Sequence, residues 1–186
     1  MSESFTDKLR SLFKDGPAYG NRYTVTLPNI GGTPKPGGGA AEAALMQTED
    51  MSYMCTAARL PGTQINTIDR QIGMEPKKIA VGRVTPDISL TFLLDNTYAL
   101  RKYFQEWVDC VASPAPPFMA GYLSNYGKDL TISQTNKGKD GGDKVYSCKL
   151  IKCYPIGLTE IEFNNQAATN VLEFTVTLAY SQFDVS

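Results

Sequence analysis

Histidine is absent from the 186 residues of the chain. Catalytic arrangements that depend on an imidazole, such as Ser-His-Asp and Cys-His, are therefore excluded. The same absence removes the commonest general base and the commonest metal ligand of proteins. We therefore predict that the protein is not an enzyme and that it needs no cofactor and no metal ion.

The chain also lacks an excess of basic side chains. It has 18 Lys and Arg residues against 19 Asp and Glu residues, so its formal net charge is −1. A protein that grips nucleic acid neutralises phosphates with a clustered basic surface. The only local basic cluster is Lys77, Lys78 and Arg83, and a cluster this short fits ordinary surface as well as a contact with DNA or with another subunit.

Paired cysteines, a leader segment and membrane spans are missing as well. None of the four cysteines has C-x-x-C spacing, which predicts reduced thiols rather than a zinc site. On one regular strand Cys148 and Cys153 would face opposite ways.

Residues 1–16 carry charges throughout, unlike a signal peptide, and no apolar run reaches the length of a membrane span. We expect a protein made in the cytoplasm without membrane insertion.

Glycine and proline are concentrated in the first half of residues 31–50, which predicts a mobile loop inserted at the surface. Neither the P-loop pattern nor G-x-G-x-x-G occurs there, so phosphate binding has no support. A short helix is predicted over residues 4–14, with one apolar stripe formed by Phe5, Leu9, Leu12 and Phe13. We therefore divide the chain into an N-terminal helical tail, residues 1–18, and a β domain, residues 19–186.

Alternation of apolar and polar side chains predicts strands along most of the β domain. The clearest strands are residues 22–27, 87–94, 145–154 and 172–180. One long amphipathic helix is predicted after a capping segment at Asp95 and Asn96. Its apolar face contains Leu100, Tyr103, Phe104, Trp107, Val108 and Val111. Because strands and helices do not alternate, we predict a mainly β (α+β) fold, an antiparallel β-sandwich or barrel-like structure crossed by that helix.

Residues 63–78 combine apolar side chains with polar ones in a less regular pattern. Such a segment is too apolar for a solvated loop. It is either an extended arm that lies on a neighbouring subunit or a hairpin packed on its own core. We predict a subunit interface formed by Ile65, Ile68, Ile72, Met74, Lys77 and Lys78.

Carboxylates are scattered along the chain, and only Glu160 and Glu162 are spaced to share one face of a strand. Paired carboxylates of that kind are used in glycoside hydrolysis. Ile161 and Phe163 occupy the alternate positions, which are expected to be buried, so we interpret the two glutamates as a polar stripe facing solvent.

Residues 80–111 resemble the middle of the tail tube proteins of contractile-tailed phages. In that family a Gly-Arg pair precedes a strand, followed by an Asp and a helix that carries an Arg and a late Trp. The matching residues here are Gly82, Arg83, Asp95, Arg101 and Trp107.

Two further segments share this likeness. Residues 145–183 resemble the family's C-terminal half through Tyr154-Pro155, Asn170 and Tyr180, and residues 60–69 resemble it through Leu60-Pro61. The likeness extends over residues 19–183.

The resemblance implies both a fold and an assembly. Six subunits are expected to form a ring, in which hairpins from each subunit join into one inner β-barrel. Closing a barrel between subunits removes exposed strand edges. Stacked rings would form a tube through which DNA passes without specific binding. The implied partners are other copies of the chain, adjacent tube or baseplate hub rings, and the tail sheath, all within the virion.

Two roles within the family fit the sequence. A baseplate tube initiator forms the first rings and seeds the tube, whereas the main tube protein polymerises along the tail. The N-terminal tail and the long loop favour the initiator, because such a subunit must hold baseplate partners. A tube protein of type VI secretion and a β-sandwich binding module, with Tyr122 and Tyr126 as candidate ligand contacts, remain alternatives.

Overall fold

A computed structural model describes residues 6, 18–42, 48–114, 118–136, 144–163 and 171–186. The predicted N-terminal helix, apart from residue 6, lies outside these ranges. No helix within the described ranges is long and apolar enough to cross a membrane.

Nine strands and three helices make up the described part of the chain. The strands are β1 (Tyr23–Thr26), β2 (Cys55–Ala58), β3 (Gln64–Ile72), β4 (Glu75–Val84), β5 (Ile88–Leu93), β6 (Lys128–Thr135), β7 (Lys144–Leu158), β8 (Glu173–Ala179) and β9 (Gln182–Val185). The helices are α1 (Thr48–Tyr53), α2 (Ala99–Val111) and α3 (Leu123–Tyr126). The predicted mainly β fold with one long amphipathic helix is thereby confirmed.

Seven strands form one antiparallel sheet in the order β1-β6-β7-β8-β5-β2, and β9 pairs with β7 outside this path. The long strand β7 belongs to two leaves of this sheet. Its first part pairs with β6 and β9, and its last part pairs with β8. Apolar side chains from both leaves meet in one buried cluster, as in a sandwich. Strands β3 and β4 form a separate two-stranded sheet.

A bend in β7 explains how Cys148 and Cys153 both become buried although they are five residues apart. Lys152 has a positive φ of 51°, and the pairing of β6 with β7 shifts between Lys128 and Leu130. Such an irregularity reverses the alternation of side chains along a strand. The expectation that the two thiols face opposite ways is therefore wrong. All four cysteines are free, and burial raises the pKa of the Cys153 thiol to about 12.

Helix α2 supplies the centre of the core. Its fully buried face contains Ala99, Leu100, Tyr103, Phe104, Trp107 and Cys110. The Phe104 ring lies 5.3 Å from that of Phe92 on β5 and 6.0 Å from that of Phe174 on β8. Val108 and Val111, which the periodicity also assigned to this face, are only partly buried. The buried face of the helix therefore includes the smaller residues Ala99 and Cys110 in place of Val108 and Val111.

The loop at residues 31–42 is folded by hydrogen bonds within itself, and an ion pair joins it to α2. The Gly32 amide donates to the Ala41 carbonyl at 3.0 Å, and the Ala41 amide donates to the Thr33 carbonyl at 2.8 Å. Lys35 forms an ion pair with Glu106 on α2. The glycines expected to make this segment mobile are used for its turn, since Gly37, Gly38 and Gly39 all have positive φ.

Asp95 caps α2 from four residues before the helix begins. Its carboxylate accepts hydrogen bonds from the backbone amides of Thr97, at 3.3 Å, and Ala99, at 3.2 Å. The Thr97 hydroxyl also donates to it, and these hydrogen bonds hold the pKa of the Asp95 carboxyl below its usual range. The helix begins at Ala99, which is later than the sequence indicated. The predicted capping is nevertheless provided by Asp95.

Replacing Asp95 with Ala is expected to lower the free energy of unfolding by about 1 kcal/mol at pH 7. Because the folded pKa lies below the unfolded one, the contribution is present above about pH 4 and is lost as the pH falls through the folded pKa. Urea unfolding of both proteins between pH 7 and pH 3 measures this difference. A difference that stays constant over that range would show that the carboxylate does not act as a cap.

Candidate subunit interface

The β3–β4 hairpin, named the arm from here on, projects from the rest of the protein. Its strands contact each other along their length and make no comparable contact with another described element. Nine paired positions at a rise of about 3.3 Å give it a length of roughly 30 Å. Gly73, with a φ of 82°, and Met74 form the two-residue turn at its tip. Glycine at the first turn position is typical of a tight hairpin connection.

The arm is exposed on both faces. Every β4 residue is exposed, and so is each β3 residue from Gln64 to Gln71. Ile65 and Ile68 are 52% and 54% exposed, and the Met74 side chain is fully exposed. A hairpin packed on its own core, one of the two structures considered for this segment, is therefore wrong. A two-stranded hairpin of this kind is marginally stable alone in water.

The six predicted interface residues all lie on the arm but not on one face. Directly opposed residues of an antiparallel pair share a face. Ile68 is opposite Ile79, whereas Ile65 is opposite Arg83, and three positions separate Ile65 from Ile68 along β3. The two isoleucines therefore point to opposite faces. Ile72 is paired with Glu75 beside the tip.

The two predicted lysines, Lys77 and Lys78, are adjacent on β4. They are opposite Arg70 and Asp69 respectively, so they also lie on different faces. The arm carries four basic and two acidic side chains and has a net charge of +2, while the rest of the chain has a net charge of −3. The arm and the body therefore differ in the sign of their net charge.

Three further exposed apolar residues of the arm were not among the residues predicted from the sequence. They are Ile79, Val81 and Val84, which are 37%, 56% and 43% exposed. The alternation of Ile79 and Val81 is the signal that would have revealed them. Val81 is unpaired, because the register shifts between Asn66 and Thr67. With these residues the arm presents apolar side chains from its base to its tip.

Two strand edges of the body face each other across a cleft. The Tyr23 hydroxyl on β1 donates to the Cys55 carbonyl on β2 at 2.9 Å, and neither strand has a partner on that side among the described residues. The cleft has a volume of about 440 Å³ and is lined largely by polar groups. Burial raises the pKa of Tyr23 to about 12 and that of Cys55 to about 11, so both groups stay neutral. The cleft can hydrogen-bond an extended segment but has no charged group for chemistry.

The outward face of β5 and β8 is rich in hydroxyl groups. Thr91 is opposite Thr175, and Ser89 is opposite Thr177. The hydroxyls of Thr91 and Thr175 are 3.0 Å apart. Glu173 is the only charged residue of these two strands and stands at one end of β8.

Glu160 and Glu162 do not form a catalytic pair on a strand. Strand β7 ends at Leu158, and residues 159–163 have no regular secondary structure. The predicted strand through Ile161 and Phe163 is therefore wrong, and the Phe163 side chain is 74% exposed rather than buried. The Arg101 guanidinium donates to the Thr159 carbonyl at 2.8 Å and holds this segment against α2. Among the described residues no group of three acidic or cysteine side chains is placed to hold a metal ion.

Solved structures with the same fold come from contractile injection systems. The chain is 19% identical to a protein of the anti-feeding prophage cap, which terminates the tube, with a TM-score of 0.58 and 91% of each chain covered. It is 15% identical to a protein of the sheath–tube complex of the extracellular system PVC, with a TM-score of 0.59 and 100% and 99% covered. A protein of the anti-feeding prophage baseplate matches at 15% identity, a TM-score of 0.57 and 91% and 95% covered.

No curated protein sequence matches the chain. The sequence model of the phage tail tube proteins, in contrast, matches residues 18–186, which is most of the chain and includes the arm, α2 and both leaves of the sheet. The resemblance found in the sequence is thereby confirmed, and the chain belongs to the phage tail tube protein family.

Proposed function

We propose that this protein is a structural subunit that forms a homo-hexameric ring of a phage tail tube, at the baseplate end, where the ring initiates tube polymerisation. The observation that carries the proposal is the arm: about 30 Å of two-stranded sheet, exposed from Gln64 to Gln71 and from Glu75 to Val84, set on a body with its own core. An arm of this length reaches beyond its own subunit. We expect the arm to dock on the body of an adjacent copy.

Ile65, Ile68, Ile72, Met74, Lys77 and Lys78 are proposed as the docking residues of the arm. The apolar side chains on both faces suit insertion between two neighbours rather than contact with one surface. Contact between one patch on a subunit and a different patch on the next is heterologous, and such contacts close into rings when the rotation fits. The net basic arm then meets the net acidic body of another copy.

The proposed wall of the conduit is the hydroxyl face of β5 and β8. Thr91, Thr175 and Thr177 give this face neutral hydroxyl groups, and no Lys or Arg stands on either strand. DNA is held by basic side chains that replace its counterions. A wall without them would let DNA pass without specific binding. The tail sheath and adjacent tube or baseplate hub rings are the partners proposed for the outer and axial surfaces.

Negative-stain electron microscopy of the concentrated protein at moderate salt tests the assembly. Isolated rings or short stacks are the expected result for an initiator, and long hollow tubes would assign the main tube role instead. The purified protein is then added to a tail tube protein from the same genome, where an initiator shortens the lag before tubes appear. Monomers that neither form rings nor affect that lag would contradict the proposal.

A further inference from the structure

The joint between the arm and the body consists of two short linkers without ladder pairing. The β2–β5 ladder ends at Ala58 and Leu90, and the β3–β4 ladder begins at Gln64 and Val84. The linkers contain Pro61-Gly62 and Pro86, and proline has no amide hydrogen to donate to a ladder. A side chain added at Gly62 would contact the Pro86 ring at 3.8 Å, so the two linkers lie side by side. The backbone pairing alone therefore leaves the joint able to bend.

Two side-chain contacts bridge this joint, and a third ties the two sides of the arm base together. The Tyr180 hydroxyl donates to the Pro86 carbonyl at 3.0 Å. The Arg83 guanidinium, at the base of the arm, lies 5.4 Å from the centre of the Phe183 ring. Arg83 also donates through Nη2 to the Thr63 hydroxyl at 3.1 Å, which ties the two sides of the arm base together. From the body, Tyr180 thus contacts the linker that follows the arm, and Phe183 contacts the base of the arm.

Both aromatic residues are anchored firmly in the body. Tyr180 and Phe183 are partly buried against the core cluster, and their rings meet edge to face at 6.3 Å. Phe183 is paired with Leu150 in the β7–β9 ladder, and the Ser181 amide donates to the Ile151 carbonyl at 3.1 Å. These contacts hold the pair on a rigid sheet, while the arm beyond Arg83 has no such support.

We propose that Tyr180 and Phe183 form a latch that sets the angle of the arm relative to the body. They act as positioning residues for docking, because they touch the base of the arm and its linker and not its docking side chains. An arm fixed at its docking angle loses less conformational freedom on binding, so a preorganised arm binds more tightly than a loose one. The value of the latch for docking rests on the proposed function, whereas the angle itself is a property of the single subunit.

The test measures the arm angle in the full-length subunit, at a concentration where it is monomeric. Spin labels are attached through unnatural amino acids at Met74, on the tip, and Tyr122, on the body, so that the four native cysteines are unchanged. Both positions are strongly exposed. The distance distribution between the labels, measured by pulsed electron paramagnetic resonance, reports the angle directly. A narrow distribution is expected for the wild-type latch.

Tyr180→Phe with Arg83→Gln is the first variant, because it removes the hydrogen bond to Pro86 and the cation over Phe183 while the core rings stay. Phe183→Ala is the second, checked for a retained thermal transition. Both are expected to broaden and shift the distance distribution, and Tyr154→Phe serves as the matched control that leaves it unchanged. If the first variant keeps the wild-type distribution, there is no latch.

Docking is measured separately in the same variants. We expect arm-dependent ring formation to require about tenfold more protein when the latch is removed, the factor that corresponds to losing one hydrogen bond. A wild-type protein that never forms rings would contradict the proposed function, and the distance measurement would still decide whether the latch exists.

Discussion

Replacing Trp107 with Ala is expected to lower the free energy of unfolding by about 3–5 kcal/mol. The Trp107 side chain is fully buried, and its ring stacks on Phe104 at 6.2 Å and meets Tyr103 at 6.0 Å. The substitution leaves a cavity in the middle of the aromatic cluster. It also leaves the Tyr126 carbonyl without the hydrogen bond that the indole Nε1 donates at 2.9 Å. Urea unfolding followed by circular dichroism measures the loss.

The matched control for this substitution is Tyr53→Ala. Tyr53 is also a large aromatic residue on a helix, but its side chain is 85% exposed, so its removal should change stability by less than about 0.5 kcal/mol. The loss expected for the Trp107 variant, in contrast, is a large part of the stability of a domain, so that variant is expected to aggregate at moderate temperature. An unchanged melting temperature would show that α2 is not the centre of the core.

Replacing Ile68 with Asp is expected to abolish ring formation while the subunit remains folded. Ile68 is 54% exposed in the isolated subunit, so a carboxylate there stays hydrated and the free energy of unfolding should change by less than about 0.5 kcal/mol. In the docked arm the same carboxylate would be buried without a partner, at a cost of several kcal/mol. Analytical ultracentrifugation measures the assembly, and urea unfolding of the monomer measures the stability.

Thr67→Asp provides the comparison for the Ile68 variant. Thr67 is the neighbouring residue on β3, is exposed as well, and points to the other face of the arm, opposite Ala80. Equal losses of assembly in both variants would indicate that both faces are covered, as insertion between two neighbours requires. If the Ile68 variant formed normal rings, the arm would not be part of the interface.

The sequence predicted those parts of the fold that depend on local periodicity. The alternation in β5 and β8 and the three- and four-residue spacing in α2 correctly predicted Phe92, Phe174, Phe104 and Trp107 as core. Such patterns are visible because each element buries one face, whatever it packs against. The strand expected through Ile161 was wrong, because two apolar residues at alternate positions are too short a signal to distinguish a strand from an anchored loop.

The arm was predicted in part. The apolar composition of residues 63–78 identified the arm, since exposed apolar side chains are unusual in a solvated segment. The opposite orientation of Ile65 and Ile68, and the contributions of Ile79 and Val81, required the register of the hairpin. That register depends on a bulge and a turn that composition does not reveal.

The sequence alone determined that this protein is mainly antiparallel β with one buried amphipathic helix, that it has no imidazole chemistry, and that it resembles phage tail tube proteins. These conclusions depend on residue types and on their spacing and order along the chain, which the sequence displays directly. Only the tertiary structure decided that β7 spans two leaves, that Lys152 turns Cys148 and Cys153 to the same interior, and that Tyr180 contacts the linker at the base of the arm. Each of these features joins residues that are distant in the chain or reverses a local period, so no window of the sequence contains it.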